Sequence, residues 1–268
     1  MTAHLIVTDL DGTLLGADHA LADVTVDTLR ALAGQGHHIV LASGRHYRDI
    51  LAFRDRLDID AHIISTNGAY THAPDGRLVK AHHLPTGLAR ELIRLPRPEA
   101  VRLNLYHDDE WLIDAPAPEL LALHAHTGFG YRVADLDDLD GEGVGKVLYI
   151  GDPAALGELE LQARHRAERE LHITYSMDNS LEIMAGGVNK GAALTALLAQ
   201  LDIPTERCLA FGDNRNDIEM LDLVGEAHVM ANGHPALAEA VPGAMRIGSH
   251  DQAAVAQRLI ERFALSLS

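Results

Sequence analysis

Apolar strand-like runs alternate with helix-period segments at both ends of this chain, and the alternation stops in between. HLIVTD (4–9), HHIVLA (37–42) and AHIIST (61–66) are short, nearly continuous apolar runs, the pattern of strands covered on both faces. Between them, VTVDTLRALAGQG (24–36) places Val26, Leu29 and Leu32 on one helical face and ends in glycine, and HYRDILAFRDRL (46–57) reads as a second helix. The rhythm returns late in the chain. NKGAALTALLAQL (189–201) is a helix, RCLAFGD (207–213) a buried strand, DIEMLDLVG (217–225) a helix and EAHVMA (226–231) a strand. A helix near 235–241, a short strand near 245–247 and a final helix from 251 follow. Strands and helices in this order favour a parallel sheet joined by right-handed crossovers.

The middle reads differently. YTHAPDGRLVKAHHL (70–84) carries Asp75-Gly76 between two short β-like runs, a hairpin signal. VRLNLYHDDEWLIDA (101–115) alternates like an antiparallel pair, APELLALHAHTG (117–128) reads as helix, KVLYIGD (146–152) as strand and ALGELELQARHRAE (155–168) as helix. LHITYS and SLEIM, within 171–184, read as strands. The expected architecture is therefore α/β. A doubly wound parallel-sheet core is built from residues 1–84 and 186–268, interrupted by an α+β domain over 85–185.

Charge bounds the partners. With 22 basic and 39 acidic residues among 268, the formal net charge is −17, which argues against nucleic acid and anionic membranes as partners. An anionic ligand would need local positive charge against a repulsive field. The single cysteine, Cys208, excludes an intramolecular disulfide and fits a small buried residue in a cytoplasmic protein. No basic segment followed by a long apolar stretch opens the chain, so no signal peptide is expected. The longest apolar helix candidate, AALTALLAQL (192–201), is too short to span a bilayer. None of the 17 histidines falls in an HxxxH or HExxH pattern on a convincing helix. The oligomeric state is not legible.

The chemistry gathers where core strands end. In a parallel sheet the carboxyl ends of the strands line one crevice, where ligands bind. The first strand ends at Asp9, with Asp11 two residues on. The second ends at Ser43, Gly44 and Arg45, and RCLAFG ends at Asp213, followed by Asn214, Asn216 and Asp217. Lys190 opens a helix, an unfavourable place for a lysine unless an anion lies nearby. Clustered carboxylates repel unless a cation lies between them, and an all-oxygen set favours magnesium. Ser43, the Gly44 amide and Lys190 are the groups that would hold phosphate oxygens. Such a site suits phosphoryl transfer from a monoester. Asp9 and Asp11, at i and i+2 of an extended segment, project to the same side, and the two can divide the work. A carboxylate on the metal can attack phosphorus, and one away from it can carry a proton to and from the departing oxygen.

DLDGTLL, LASGR, GVNKGAAL and GDNRNDIEML resemble, in order, the four motifs of the haloacid dehalogenase superfamily. The large insertion between the second and third resembles the type IIB cap of the Cof-type phosphatases, and the resemblance spans the whole chain. NGA (67–69), NLYHDDEW (104–111) and SLEIMAGGVNKG (180–191) are similar to a Cof-type member associated with pyridoxal phosphate and sugar phosphates. The resemblance implies a magnesium-dependent phosphatase acting on small phosphorylated metabolites through an aspartyl phosphate. It makes Asp9 the nucleophile and a metal ligand, and Asp11 the acid/base with its carbonyl on the metal. Asp213 becomes the third metal ligand. Leu10 (through its amide), Ser43, Gly44, Lys190 and Asn216 become phosphate contacts, and Asp217 positions Lys190 or a metal-bound water. Arg45, His46, Asn67 and Glu182 are candidates for reading the substrate. A phosphomutase or phosphotransferase using the same phosphoenzyme is the alternative. Many Cof-type sequences have proline before the GV of the third motif; this chain has Ala185-Gly186-Gly187, which would loosen the hinge to the cap.

Overall fold

The computed structural model describes residues 3–266. They form two sheets. The first contains β1 (Leu5–Thr8), β2 (His38–Ala42), β3 (Ala61–Ser65), β4 (Tyr70–His72) and β5 (Leu78–Ala81) from the early part of the chain. From the late part come β12 (Cys208–Gly212), β13 (Glu226–Val229) and β14 (Met245–Arg246). Their order is β14-β13-β12-β1-β2-β3-β4-β5, parallel from β14 through β3, with β4 and β5 added antiparallel at one edge. The sheet is thus parallel only in six strands. The Asp75-Gly76 turn supplies the reason, because a two-strand hairpin can add to an edge without a helical crossover.

Alternation along β1 sends side chains to both faces. Ile6 joins a cluster with Leu29, Leu32, Ile50, Phe53 and Leu259, from α1 (Asp23–Gly34), α2 (Tyr47–Leu57) and α8 (Ala254–Phe263). Leu5 and Val7 join Leu194, Leu198, Met220 and Leu237 on the other side, from α5 (Lys190–Leu201), α6 (Ile218–Leu223) and α7 (Pro235–Ala240). Burial on both faces is why these strands read as continuous apolar runs. The chain leaves β1 towards β2 on one side and returns to β12 on the other, so the order reverses beside β1.

The second sheet holds β6 (Arg102–His107), β7 (Glu110–Ile113), β8 (Arg132–Val133), β9 (Val144–Ile150), β10 (Leu171–Met177) and β11 (Ser180–Ala185). The order is β10-β11-β9-β6-β7-β8, antiparallel except for β7 with β8. Leu103, Leu105, Val147, Tyr149, Leu181 and Ile183 pack with residues of α3 (Thr86–Ile93) and α4 (Pro153–Ala167). The alternate positions, Asn104, Tyr106, Lys146, Leu148, Ser180 and Glu182, lie on the opposite face.

Two expectations change. Residues 86–93, left unassigned by periodicity, form α3. The helix expected over 117–128 is a run of 3₁₀ turns, Pro118–His124, followed by turns through Gly128. His124 and Thr127 from this stretch are drawn onto Asp49 of α2, and that tertiary contact outweighs helical propensity.

Candidate active site

Three strand ends converge at the reversal of strand order. Thr8, the last residue of β1, lies in register with Phe211 of β12 and Leu41 of β2, so Asp9, Asp213 and Ser43 follow within two residues of adjacent ends. Asp9 remains extended, but the chain does not continue as a strand. Residues Leu10–Leu14 make one wide turn closed by the Leu15 amide on the Leu10 carbonyl, 2.9 Å. Gly12 sits at φ +74°, and a Cβ there would meet Asp213 Oδ2 at 2.5 Å, so only glycine lets the turn pass that carboxylate. The turn, rather than an extended run, sets the separation of Asp9 from Asp11.

Asp9 is nearly buried and faces Lys190, whose Nζ lies 2.5 Å from Oδ1. The same ammonium donates to Asp217 Oδ1 at 2.7 Å. Asp217 Oδ2 in turn accepts the amides of Asp213 and Asn214, at 3.0 and 3.1 Å. One carboxylate therefore fixes both the lysine and the loop that carries Asp213. Asp213 also accepts a hydrogen bond from Thr13 Oγ1, 3.0 Å. Asp9, Asp213 and Asp217 each offer an oxygen within 4.8 Å of the others.

The cluster is short of positive charge. Burial pushes the Asp9 carboxyl well above its ordinary range; Lys190 pulls it down, while Asp217, Asp213 and Asp11 push it further up. Burial and Asp217 push Asp213 up to about 7, against the Thr13 hydroxyl and Lys190. Burial alone would depress Lys190, but Asp217 and Asp9 hold it above the ordinary lysine value, so it stays charged. One ammonium does not balance these carboxylates. With the Asp217 oxygens already engaged, Asp9 and Asp213 are the ones placed to face a hard divalent cation, and the all-oxygen donor set fits one.

Asp11 is turned away from this cluster. Arg45 grips it with Nε and Nη2, both at 2.6 Å, and His19 Nδ1 lies 3.5 Å away. Burial favours the protonated form, but the Arg45 and His19 contacts outweigh it and hold the Asp11 carboxyl well below the usual range. Arg45 is itself buried and carries Asp49 on Nη1, 2.7 Å.

Beyond β2, Ser43 Oγ accepts the Arg45 amide at 3.1 Å, and the Gly44 carbonyl takes Lys146 Nζ at 2.7 Å. The cap of α2 is His46, whose Nδ1 accepts the Arg48 amide, 3.1 Å. The His46 ring stacks on Phe129 at 4.8 Å and its Nε2 contacts the Asp108 carbonyl, so it does not line the cavity. Asn67 links Asn216, whose Nδ2 donates to its Oδ1 at 3.1 Å, with Glu182, which accepts its Nδ2. Glu182 also takes Ser176 Oγ at 2.7 Å and lies 3.3 Å from Lys146 Nζ. Asn67, expected near substrate, lies outside the cavity lining and spends its polar atoms joining the two sheets; Glu182 does so too but, like Arg45, also lines the cavity.

A cavity of about 160 Å³ lies between the sheets. Asp9, Asp11, Ser43, Gly44, Asp213 and Asn216 form its floor; Leu10, Lys190 and Asp217 are buried and do not line it, Lys190 reaching it through Asp9. Its roof carries Tyr106, Trp111, Leu120, Leu148, Ile150 and Met177. His19, His124, Lys146, Ser176, Ser180 and Asn214 also line it, and sequence reasoning named none of them as substrate contacts. Lys146 had one available signal. A lysine inside the apolar run KVLYI, alternating with buried Val147 and Tyr149, must face something polar.

Carboxylates and a buried lysine at the switch point of a doubly wound sheet, roofed by a second sheet, define a capped α/β protein with a site suited to phosphoryl chemistry. A sequence-family model for haloacid dehalogenase-like hydrolases matches residues 6–259. An HMP-PP phosphatase of Cronobacter sakazakii is 36% identical over 257 residues, covering 96% of this chain and 94% of the relative. A putative phosphatase of Haemophilus influenzae is 36% identical over 263 residues, covering 97% of both. Among solved structures, a haloacid dehalogenase-like hydrolase of Bacteroides thetaiotaomicron superposes with a TM-score of 0.84 at 25% identity, over 98% of this chain and all of the other. The chain belongs to the haloacid dehalogenase-like hydrolase family. Within that family it is a Cof-type phosphatase.

Proposed function

We propose that the protein is a magnesium-dependent phosphatase that works through a phosphorylated Asp9. The observation that carries this reading is the Asp9 carboxylate, held by Lys190 at the cavity floor beside Asp213. The Asp9 carboxylate oxygen bonds to phosphorus as the bond from phosphorus to the substrate oxygen breaks. Asp11, held as the carboxylate by Arg45 and His19, supplies the proton to that departing oxygen once it is released from that grip and protonated. In the second half, water bonds to phosphorus, Asp11 takes its proton, and the Asp9–phosphorus bond breaks to release inorganic phosphate. Lys190, Ser43 Oγ, Asn216 and the Leu10 and Gly44 amides hold the phosphate oxygens. Asp217 keeps Lys190 in place. Asp9, Asp213 and the Asp11 carbonyl would hold magnesium, which would supply charge neutralisation for the transferred group. Residues 1–84 with 186–268 act as the catalytic core and 85–185 as the cap, which excludes water and selects the leaving group.

The roof favours a flat, mostly apolar leaving group. Its volume of about 160 Å³ is below the roughly 300–1,000 Å³ of sites for drug-sized ligands. Ser176, Lys146, Glu182 and Trp111 already hydrogen-bond within the protein, so few polar groups remain to read the hydroxyls of a hexose. Tyr106, Trp111, Leu148 and Met177 instead offer surfaces to a ring. Pyridoxal phosphate therefore fits better than a sugar phosphate, and HMP-PP, named for the Cronobacter relative, belongs in the same comparison. The test is phosphate release from pyridoxal phosphate, HMP-PP and a hexose phosphate, with and without magnesium. The expected order puts the first two ahead, with all release dependent on magnesium. A hexose phosphate preferred over both would overturn the substrate reading, and a product that conserves ester phosphate would reassign the enzyme as a phosphotransferase.

A further inference from the structure

Most polar side chains lining the upper part of the cavity are engaged within the protein. Trp111 Nε1 donates to Asn104 Oδ1 at 2.9 Å, Lys146 Nζ to the Gly44 carbonyl at 2.7 Å and Ser176 Oγ to Glu182 Oε1 at 2.7 Å. Asn214 Nδ2 donates to the Ser176 carbonyl at 2.7 Å, and the Ser180 hydroxyl to Asn179 Oδ1 at 3.3 Å. Two atoms are left over. Tyr106 Oη and His124 Nε2 have no hydrogen-bond partner among the described residues, yet neither is sealed from solvent. Both residues are deeply buried, Tyr106 at 4% and His124 at 7% exposure, and both line the cavity. His124 ends the 3₁₀ stretch, and its Nδ1 lies 2.8 Å from Oδ2 of Asp49, which is fully buried on α2. Burial favours the protonated form of Asp49, but His124, Arg45 and the Thr127 hydroxyl outweigh it and hold the carboxyl below its ordinary range. An ionised carboxylate only accepts, so His124 carries its proton on Nδ1 in this contact. In the neutral ring Nε2 is then an acceptor. Trp111 and Phe129 pack against the ring at centroid distances of 4.8 and 6.0 Å, and turning it over would break the Asp49 contact. The cavity is thus offered one oriented lone pair beside Trp111, among the apolar surfaces of Leu148 and Met177.

We propose that His124 is a specificity residue: through Nε2 it accepts a hydrogen bond from an amino or hydroxyl group on the ring of the leaving group, and so selects rings that carry such a donor. This role presupposes the phosphatase reading above and narrows its leaving group. A flat ring without a donor would cover Nε2 and leave it unpaired, at the cost of desolvating a polar atom; a ring with a donor avoids that cost. In a plainly apolar pocket the preference would run the other way, because an amino group would lose its water for nothing.

The test compares each ring isomer of aminobenzyl phosphate with the methylbenzyl phosphate substituted at the same position, a pair alike in size but not in donors. Phosphate release is measured with magnesium, and release without enzyme is subtracted. For at least one isomer, kcat/KM for the amino ester is expected to exceed that for the methyl ester by about tenfold, the scale of one hydrogen bond. The readout is this ratio, which a general loss of folded enzyme does not move. His124→Phe removes the acceptor, and His124→Asn removes it while keeping a donor for Asp49; both are expected to bring the ratio to one or below. Tyr106→Phe, which removes the other unpartnered atom, is expected to keep most of the ratio. A ratio that survives in both His124 variants, or that collapses in Tyr106→Phe instead, would overturn the assignment. So would turnover of pyridoxal phosphate with every benzyl ester refused. If methyl esters match or lead their amino partners at every position, the role of His124 falls and the phosphatase reading stands. If no phosphomonoester releases phosphate, p-nitrophenyl phosphate included, the phosphatase reading falls and the role of His124 with it.

Discussion

Lys190 has no exposed surface and holds two carboxylates, Asp9 at 2.5 Å and Asp217 at 2.7 Å. Removing one partner of a buried charge cluster leaves the other uncompensated, which typically costs about 3–5 kcal/mol. Lys190→Met should therefore lose stability near the low end of that range, since Asp9 and Asp213 are already poised to take up protons. Urea unfolding of the variant checks this, and unchanged stability would contradict the arrangement. The lysine was legible because a cation in the first turn of a helix opposes the helix dipole and asks for an anion. Asp9, Ser43 and Asp213 were legible because each follows an apolar run. Asp49 was not. It reads as one of many acidic residues on an amphipathic helix, and its partners His124 and Thr127 lie 75 and 78 positions away. Lys146 was not named either, and the link of Glu182 to Asn67, like that of Lys146 to Gly44, depends on how one sheet sits over the other.

At the scale of elements, α5 is what delivers Lys190. Its N-cap, Asn189, accepts the Ala192 amide on Oδ1 at 2.7 Å, so the first turn that begins with Lys190 is pinned from one side chain. Asn189→Ala should cost about 1 kcal/mol of stability. It should lower kcat/KM by roughly tenfold, because misplacement of a positioned group is costly. A variant with lowered melting temperature but full kcat/KM would show that the cap serves the helix and not the site. The strands and helices of the parallel core were legible because burial on both faces leaves an unbroken apolar signature. The 118–128 stretch was not, because its final form depends on contacts with α2. The hairpin of β4 and β5 was read correctly as a hairpin, but its place at the edge of the first sheet is a tertiary outcome that no local pattern carries.

For the molecule as a whole, an excess of carboxylates makes stability sensitive to pH and metal. The folded Asp213 carboxyl titrates at about 7 against an ordinary value of 3.8. Between those values the folded chain binds more protons than the unfolded one, so this contribution to stability is present at low pH and is lost as pH rises towards 7. A divalent cation that replaces those protons should restore it. The melting temperature should therefore rise on adding magnesium, and by more at about pH 8 than at about pH 5. An equal rise at both would argue that the metal binds elsewhere. The net charge of −17 makes the same point at long range, because a phosphorylated substrate would be attracted only where Lys190, Arg45 and a bound cation outweigh the surrounding field. The central claim is that Asp9 forms the bond to phosphorus, and the most direct test is phosphate release by Asp9→Asn with its fold checked by circular dichroism. The account predicts a folded protein without turnover; a folded variant that releases phosphate at the normal rate would contradict it.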